Sequence, residues 1–111
     1  MSWAKRKKNK YNKSFVMLPR KMLRRKEWKE LTPKAKTLYI HLKAKFNGSN
    51  NGQIRLYYSE LKDMKGFSSH NTISSSFKEL ENKEWIERTE IGGLCRHFNE
   101  YKLTGKYDEY L

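Results

Sequence analysis

The sequence predicts a mainly α-helical fold with a small antiparallel β-sheet, which places the chain in the α+β class. Apolar residues recur with helical spacing between residues 33 and 46, and again between residues 73 and 80. Farther along, two extended runs at 85–91 and 97–103 are joined across a pair of glycines, a pattern that predicts a β-hairpin. A length of 111 residues is enough for one domain with one core.

The excess positive charge lies at the N-terminal end. The net charge is +13, no acidic residue precedes Glu27, and eleven of the 25 lysines and arginines do. The rest of the sequence contains the other 14 basic residues and all 12 acidic ones, so its net charge is only +2. Residues 1–13 are predicted to be a disordered basic arm, which either contacts phosphate backbones or only keeps the protein soluble. Its candidate DNA contacts are Lys5, Arg6, Lys7 and Lys8.

Two helices are predicted before the first loop. Pro19 suits the first position of a short helix that continues through Leu23. Thr32 is a natural N-cap for the second helix, and Pro33 fits its first turn because the missing N–H has no partner there. This helix should run to about Phe46. Its apolar face comprises Ala35, Leu38, Tyr39, Leu42 and Phe46.

A loop and a short strand are predicted next. Residues 47–52 hold two Asn-Gly pairs, which adopt positive φ readily and mark a tight exposed turn. Residues 53–57 alternate as a strand, with Ile54 and Leu56 on one face. Because a lone strand is not stable, this one must pair with another segment.

Residues 58–80 predict two helices joined at a sharp angle. Leu61 and Met64 form a short apolar stripe on the first helix, and Gly66 can end that helix in the left-handed conformation. Phe67 is expected to pack back on the helix that it follows. The side chain of Ser68 or Ser69 is expected to cap the second helix.

The second helix of this pair, at about residues 69–83, has two contrasting faces. Ile73, Phe77 and Leu80 form one buried face. The opposite face carries side chains that donate and accept hydrogen bonds, as needed to bind base edges and phosphates. Together the two helices predict a helix-turn-helix, although a helical hairpin with a solvated second helix has the same spacing. This polar face comprises Asn71, Ser75, Lys78 and Asn82.

The predicted order is helix, helix, strand, helix, helix and hairpin, which is that of a winged helix-turn-helix. The domain would span residues 14–105, with the hairpin at 86–103 as the wing and residues 106–111 as a short tail. Arg88 and Arg96 on the wing are expected to contact the DNA backbone, or else to be exposed solubilising charges.

From about residue 15 to residue 104 the chain resembles the small helix-turn-helix proteins and replication-organiser N-terminal domains of bacterial, plasmid and phage origin. The resemblance implies binding of double-stranded DNA through the second helix, with the hairpin as wing. Lys83 and Glu84 stand where that family usually has a glycine, and Tyr57 replaces a small capping residue, which leaves Ser59 as the expected cap. The matching motifs are residues 31–35 (Leu-Thr-Pro-x-Ala), 46–52 (Phe-Asn-Gly-x-Asn-Asn-Gly), 66–68 (Gly-Phe-Ser), 72–73, 79–80, 85–86 and 101–104 (Tyr-Lys-Leu-Thr).

Individual side chains on the second helix suggest specific contacts. Asn71 can pair with adenine, and Lys78 can bind guanine or a phosphate. Ser74 and Ser75 are short enough to allow close approach, while Ser69 and His70 lie at the helix start, where His70 can reach a phosphate. The alternative interpretation is a solvated face with non-specific affinity supplied by the arm, which two glutamates on this helix, Glu79 and Glu81, favour.

Other classes of function find little support in the sequence. It contains no nucleophile with a plausible base, no phosphate-binding glycine loop and no carboxylate pair in an apolar setting, so no enzyme activity is expected. Cys95, His97 and His70 lack the spacing of metal ligands, and no cofactor or small-molecule ligand is evident. No apolar run approaches the length of a membrane span, and the single cysteine suits a reducing compartment. We therefore expect a cytoplasmic, nucleoid-associated protein.

The prediction is a small transcriptional regulator that binds duplex DNA as a monomer, or as a dimer on paired sites. An origin-binding replication initiator of a phage or plasmid requires the same chemistry and is the first alternative. A second is a winged-helix protein-interaction module whose arm has non-specific affinity for nucleic acid. RNA binding by the arm, with the domain as carrier, is the third.

Overall fold

The computed structural model describes residues 15–90 and 99–108. Within them, the predicted α+β class is confirmed: five helices surround one core, and two strands form a small antiparallel sheet. The elements are α1 (Arg20–Arg24), α2 (Lys26–Lys29), α3 (Pro33–Lys45), α4 (Tyr58–Leu61), α5 (His70–Asn82), β1 (Ile86–Glu90) and β2 (Glu100–Leu103).

The helix predicted from Thr32 to about Phe46 is confirmed as α3. Thr32 is its N-cap, with the hydroxyl oxygen accepting a hydrogen bond of 3.3 Å from the backbone N–H of Ala35. Pro33 occupies the first turn, as its missing N–H allows. The helix ends at Phe46, whose extended backbone leaves the helical conformation. Its predicted apolar face lies in the core, where Leu38 and Leu42 are fully buried.

The short helix predicted from Pro19 begins one residue later. Pro19 is the extended N-cap rather than the first helical residue, and Arg25, also extended, separates α1 from α2. The two helices contribute Met22 and Trp28 to the core, whereas Leu23 is 37% exposed. The apolar signal therefore marked the correct segment but not its division into two helices.

The loop of residues 47–52 is confirmed as a tight turn. The side-chain oxygen of Asn47 accepts hydrogen bonds from the backbone N–H groups of Ser49 (2.9 Å) and Asn50 (3.1 Å). Gly48 and Gly52 have φ angles of +96° and +95°, which glycine adopts without strain. The turn thereby brings the following segment back towards β2.

The prediction of a strand at 53–57 is wrong in extent. Among the described residues, only Ile54 of this segment pairs, exchanging backbone hydrogen bonds of 3.1 and 2.9 Å with Tyr101 as an isolated bridge. Ile54 and Leu56 are nevertheless buried on one side, as the alternation predicted. The predicted pairing partner is therefore β2, but the pairing consists of this one bridge.

The junction between α4 and α5 has the predicted sharp turn. Gly66 has a φ of +94°, and Phe67 is buried against the core. α4 ends at Leu61, so Met64 lies in the turn that follows and not on the helix. The prediction that Ser59 caps α4 is wrong, because Tyr57 is the N-cap and its backbone N–H donates to Glu60 Oε1 at 3.1 Å.

The C-terminal end of α5 has the hydrogen bonds of a Schellman motif without its usual glycine. The backbone N–H of Trp85 donates to the carbonyl of Leu80 (2.9 Å), and that of Glu84 donates to the carbonyl of Glu81 (3.1 Å). Glu84 therefore adopts a φ of +65°, the left-handed conformation that glycine ordinarily supplies. The chain still turns sharply into the sheet, but at the cost of backbone strain.

Within the described residues, β1 and β2 pair antiparallel, as predicted for the hairpin at 86–103. Ile86 pairs with Leu103, Arg88 pairs with Tyr101, and the register shifts just beyond Arg88. The ring of Phe77 on α5 stacks on that of Tyr101 at 4.7 Å, so the sheet packs directly against α5. The turn predicted around the two glycines lies outside the described residues.

The core extends past the predicted domain boundary at residue 105. The ring of Tyr107 lies 4.9 Å from that of Trp85, and Asp108 is only 2% exposed. One Asp108 oxygen accepts hydrogen bonds from the Tyr39 hydroxyl (2.7 Å) and the Lys43 ammonium (2.6 Å). Lys43 also donates to the carbonyl of Met17, so one buried cation joins both ends of the described chain to α3.

Candidate nucleic-acid interface

The two predicted faces of α5 are separated as the periodicity required. Ile73, Phe77 and Leu80 are at most 5% exposed and form the buried face. The four polar residues on the opposite side are all exposed, and no described segment covers them. The polar face is therefore accessible to a ligand. It consists of Asn71, Ser75, Lys78 and Asn82.

The start of α5 presents Ser69 and His70 to solvent. Ser69 is the N-cap in an extended conformation, but the predicted side-chain cap is wrong, because its hydroxyl oxygen accepts no hydrogen bond from the first turn of α5. His70 packs its ring 4.3 Å from that of Tyr58 while staying exposed. Both side chains thus keep polar atoms available at the helix start.

The serines on α5 differ in their surroundings. Ser74 is half-buried, so it contributes less to the exposed face than the sequence predicted. Ser75 is exposed, and its hydroxyl donates to the carbonyl of Thr72 at 3.1 Å. Ser76 is buried and donates to the same carbonyl at 2.9 Å. Ser75 is consequently the serine best placed to meet a ligand, with its oxygen lone pairs as acceptors.

One flank of α5 is hydrogen-bonded to the segment at the start of α3. The carboxylate of Glu79 accepts hydrogen bonds from the backbone N–H and the hydroxyl of Thr32, both at 2.8 Å. Lys83 donates to the carbonyl of Glu30 at 3.1 Å. Glu79 therefore has a structural partner and is not simply a solvated charge. No local sequence signal links Thr32 to Glu79, since 47 positions separate them.

An open groove of about 440 Å³ lies between α3 and this flank of α5. Lys34 is exposed on the α3 side, and it was not singled out by the sequence. The groove gives α5 an open border beside its exposed face. It is lined by Thr32, Pro33, Lys34, Thr72, Ser75, Ser76 and Glu79.

The other flank of α5 lies beside the wing strand. Arg88 on β1 places its Nε 3.5 Å from an oxygen of Glu81 on α5. The Arg88 side chain is 37% exposed, so it borders the polar face while paired. The other predicted contacts lie outside the described residues: Arg96 on the hairpin and Lys5, Arg6, Lys7 and Lys8 in the arm.

Within residues 15–90 and 99–108, no three His, Cys, Asp or Glu side chains are grouped in a way that would hold a metal ion. Among the same residues, none of the helices has both the length and the apolar character needed to span a bilayer.

Protein-family models, curated proteins and solved structures were compared with the chain. None of them matches it. The resemblance to small helix-turn-helix proteins therefore stays a prediction from sequence motifs, and the geometry of α5 and its two flanks carries the functional proposal.

Proposed function

We propose that the chain is a small winged-helix protein that binds double-stranded DNA with sequence preference, placing α5 in the major groove. The observation that carries this proposal is the exposure of Asn71, Ser75 and Lys78 on the side of α5 opposite the core. A surface of this kind, on a helix held at a sharp turn, is what groove binding requires.

The size and chemistry of α5 fit the groove. An α-helix with its side chains is about 10–12 Å across, and the major groove is about 12 Å wide. The Asn71 amide has the donor and acceptor that pair with N6 and N7 of adenine, and the Lys78 ammonium can donate to O6 or N7 of guanine. Ser75 lies between these two on the same face and leaves room for a base edge.

The neighbouring elements support a winged-helix arrangement. The order of α3, the bridge at Ile54, α4, α5 and the β1–β2 hairpin is the winged-helix order. Arg88 on β1 lies beside α5, where a wing residue would meet the DNA backbone. Arg96 and residues 1–13 are predicted to add further backbone contacts.

The acidic residues of α5 do not oppose this surface as strongly as their number suggests. Glu79 is held by Thr32, and Glu81 is paired with Arg88. Neither projects from the middle of the exposed face. The remaining exposed charge there is the Lys78 ammonium, which favours a polyanionic ligand over a cationic protein surface.

Regulation of transcription is the biological role that we propose. Recognition of replication-origin repeats would use the same contacts, so the selected DNA sequence and its place in the genome separate these two roles. The protein should therefore be used to select duplexes from a random pool. We expect one enriched sequence, whereas equal retention of all duplexes contradicts sequence-specific binding.

Deletion of the basic arm provides a second test in the same experiment. A variant that lacks residues 1–13 should keep the sequence preference, because the preference comes from α5. Its affinity should fall for every duplex, and its affinity should depend less steeply on salt, because fewer counterions are released. Loss of the preference on deletion would instead place recognition in the arm.

A further inference from the structure

The exposed face of α5 is bordered by a different element on each side. At about 100° per residue, Thr72 and Glu79 project to one side of that face, and Ser74 and Glu81 to the other. The contacts agree, because Glu79 binds Thr32 at the start of α3, whereas Glu81 pairs with Arg88 on β1. The exposed face therefore lies between α3 and the wing strand.

Lys34 is the cation on the α3 side. It lies in the first turn of α3 and is exposed, and its ammonium has no acidic partner within residues 15–90 and 99–108. Its Cε lies 3.7 Å from the position that a β-carbon would occupy on Gly66, so its aliphatic chain crosses the glycine turn before α5. The same side chain lines the groove that it shares with Thr72 and Ser75.

The charged group of this groove that has no ion-pair partner among the described residues is the Lys34 ammonium. Glu79 is the acidic residue in its lining, and both of its oxygens accept hydrogen bonds of 2.8 Å from Thr32. Lys83 also lies near Glu79, at 3.9 Å. Two of the N–H groups at the start of α3 are engaged too, since Thr32 donates to Glu79 and Ala35 donates to Thr32. An anion entering the groove would thus meet the ammonium of Lys34.

We infer that Lys34 holds a backbone phosphate of the DNA strand on the α3 side, as the counterpart of Arg88 on the wing side. This inference rests on the proposed function. A helix about 10–12 Å across nearly fills a groove about 12 Å wide, so the phosphates of both strands run along its flanks. One cation on each flank fixes how α5 sits in the groove, while the bases are left to Asn71 and Lys78.

The test compares two lysine variants of the full chain. Lys34→Gln removes the proposed contact, and Lys36→Gln removes the same charge two positions along α3, about 200° around the helix. Binding is measured by fluorescence anisotropy, with the duplex selected from the random pool and with a scrambled duplex of the same composition, at several KCl concentrations. Thermal unfolding of both variants confirms that the fold is kept.

A lost phosphate contact has a defined signature. Lys34→Gln should weaken binding to both duplexes by about the same factor, roughly 3–10-fold, and should reduce the slope of log K against log salt by about 0.9. Lys36→Gln should change affinity by less than about twofold. In addition, one neutral methylphosphonate in the duplex should weaken binding of the unchanged protein but not of Lys34→Gln.

Three results would count against Lys34. Equal losses in the two variants would mean that only total charge matters. A larger loss on the selected duplex than on the scrambled one would indicate base recognition. The absence of any methylphosphonate position at which the two proteins differ would also overturn the contact. Failure of the unchanged protein to prefer the selected duplex would instead overturn the proposed function itself.

Discussion

Arg88 on β1 and Glu81 on α5 form an ion pair across the border between the wing strand and the exposed helix face, with 3.5 Å between Nε and Oε1. The glutamate is mostly buried and the arginine is 37% exposed, so Glu81 holds the cation at the edge of the proposed interface. A phosphate that binds Arg88 must therefore compete with Glu81.

Glu81→Gln should consequently raise the affinity for duplex DNA. The substitution frees Arg88 and removes a negative charge beside the phosphates, and we expect a gain of about 2–5-fold, in line with a partly exposed ion pair. Anisotropy titration with a duplex at low salt measures it. Glu87→Gln is the matched control, since Glu87 is exposed on the same strand. A gain of the same size in both variants would mean that Arg88 is not restrained by Glu81.

Asp108→Asn should destabilise the fold severely. The carboxylate is 1% exposed and 2.6 Å from the Lys43 ammonium, so its loss leaves a buried cation without its counter-charge. The expected decrease in the free energy of unfolding is about 3 kcal/mol. Urea unfolding followed by the fluorescence of Trp28 and Trp85, both buried, measures it.

Two further variants test the cause of that loss. Asp63→Asn removes an exposed carboxylate and should change the free energy of unfolding by less than about 0.5 kcal/mol. Lys43→Met in addition to Asp108→Asn should recover a large part of the lost stability, because no buried charge is left unpaired. A double variant no more stable than Asp108→Asn would exclude the buried charge as the cause.

Glu84→Gly should stabilise the protein relative to Glu84→Ala. Both variants lose the exposed ion pair with Lys106, but only glycine adopts the φ of +65° without strain. We expect a difference of about 1 kcal/mol in the free energy of unfolding. Thermal or urea unfolding provides the comparison. Equal stability of the two variants would show that the left-handed conformation of Glu84 costs nothing.

Stability should fall in alkali, between about pH 10 and pH 12. Burial raises the pKa of Tyr101 from 10.0 to about 12, and burial together with the hydrogen bond to Asp108 raises the pKa of Tyr39 as well. The unfolded chain then ionises these phenols first, so stability is complete below pH 10 and is lost as the pH rises towards the folded-state pKa values.

Tyr101→Phe identifies the contribution of one phenol to this loss. The phenylalanine variant should lose less stability between pH 9 and pH 11 than the unchanged protein, because it has no phenol to ionise at that position. Urea unfolding at the two pH values measures both proteins. Equal losses would contradict a contribution from Tyr101.

The long helices were predictable because their signals are local. The cap at Thr32, the proline beside it and the apolar repeat all lie within α3, and the faces of α5 follow from spacing alone. The turn at Gly66 could likewise be predicted from the residues next to it in the sequence. The buried and exposed faces of α5 could therefore be predicted from the sequence without knowledge of any tertiary contact.

The flanks of the candidate interface were not predictable, because they depend on contacts between distant residues. Glu79 meets Thr32 only when α5 packs against α3, and the place of Lys34 follows from that packing. The packing of Asp108 depends in the same way on Lys43, 65 positions earlier. At Glu84, where the resembling family usually has a glycine, the hydrogen bonds to α5 impose the left-handed conformation on glutamate.

We propose that the exposed face of α5 discriminates between DNA sequences, and the Asn71→Ala variant is the sharpest test of this proposal. The measurement is the ratio of affinities for the selected duplex and a scrambled duplex of the same composition. We expect the unchanged protein to have a large ratio and Asn71→Ala to lower it about tenfold, with affinity for the scrambled duplex nearly unchanged. A ratio that Asn71→Ala leaves intact would contradict it.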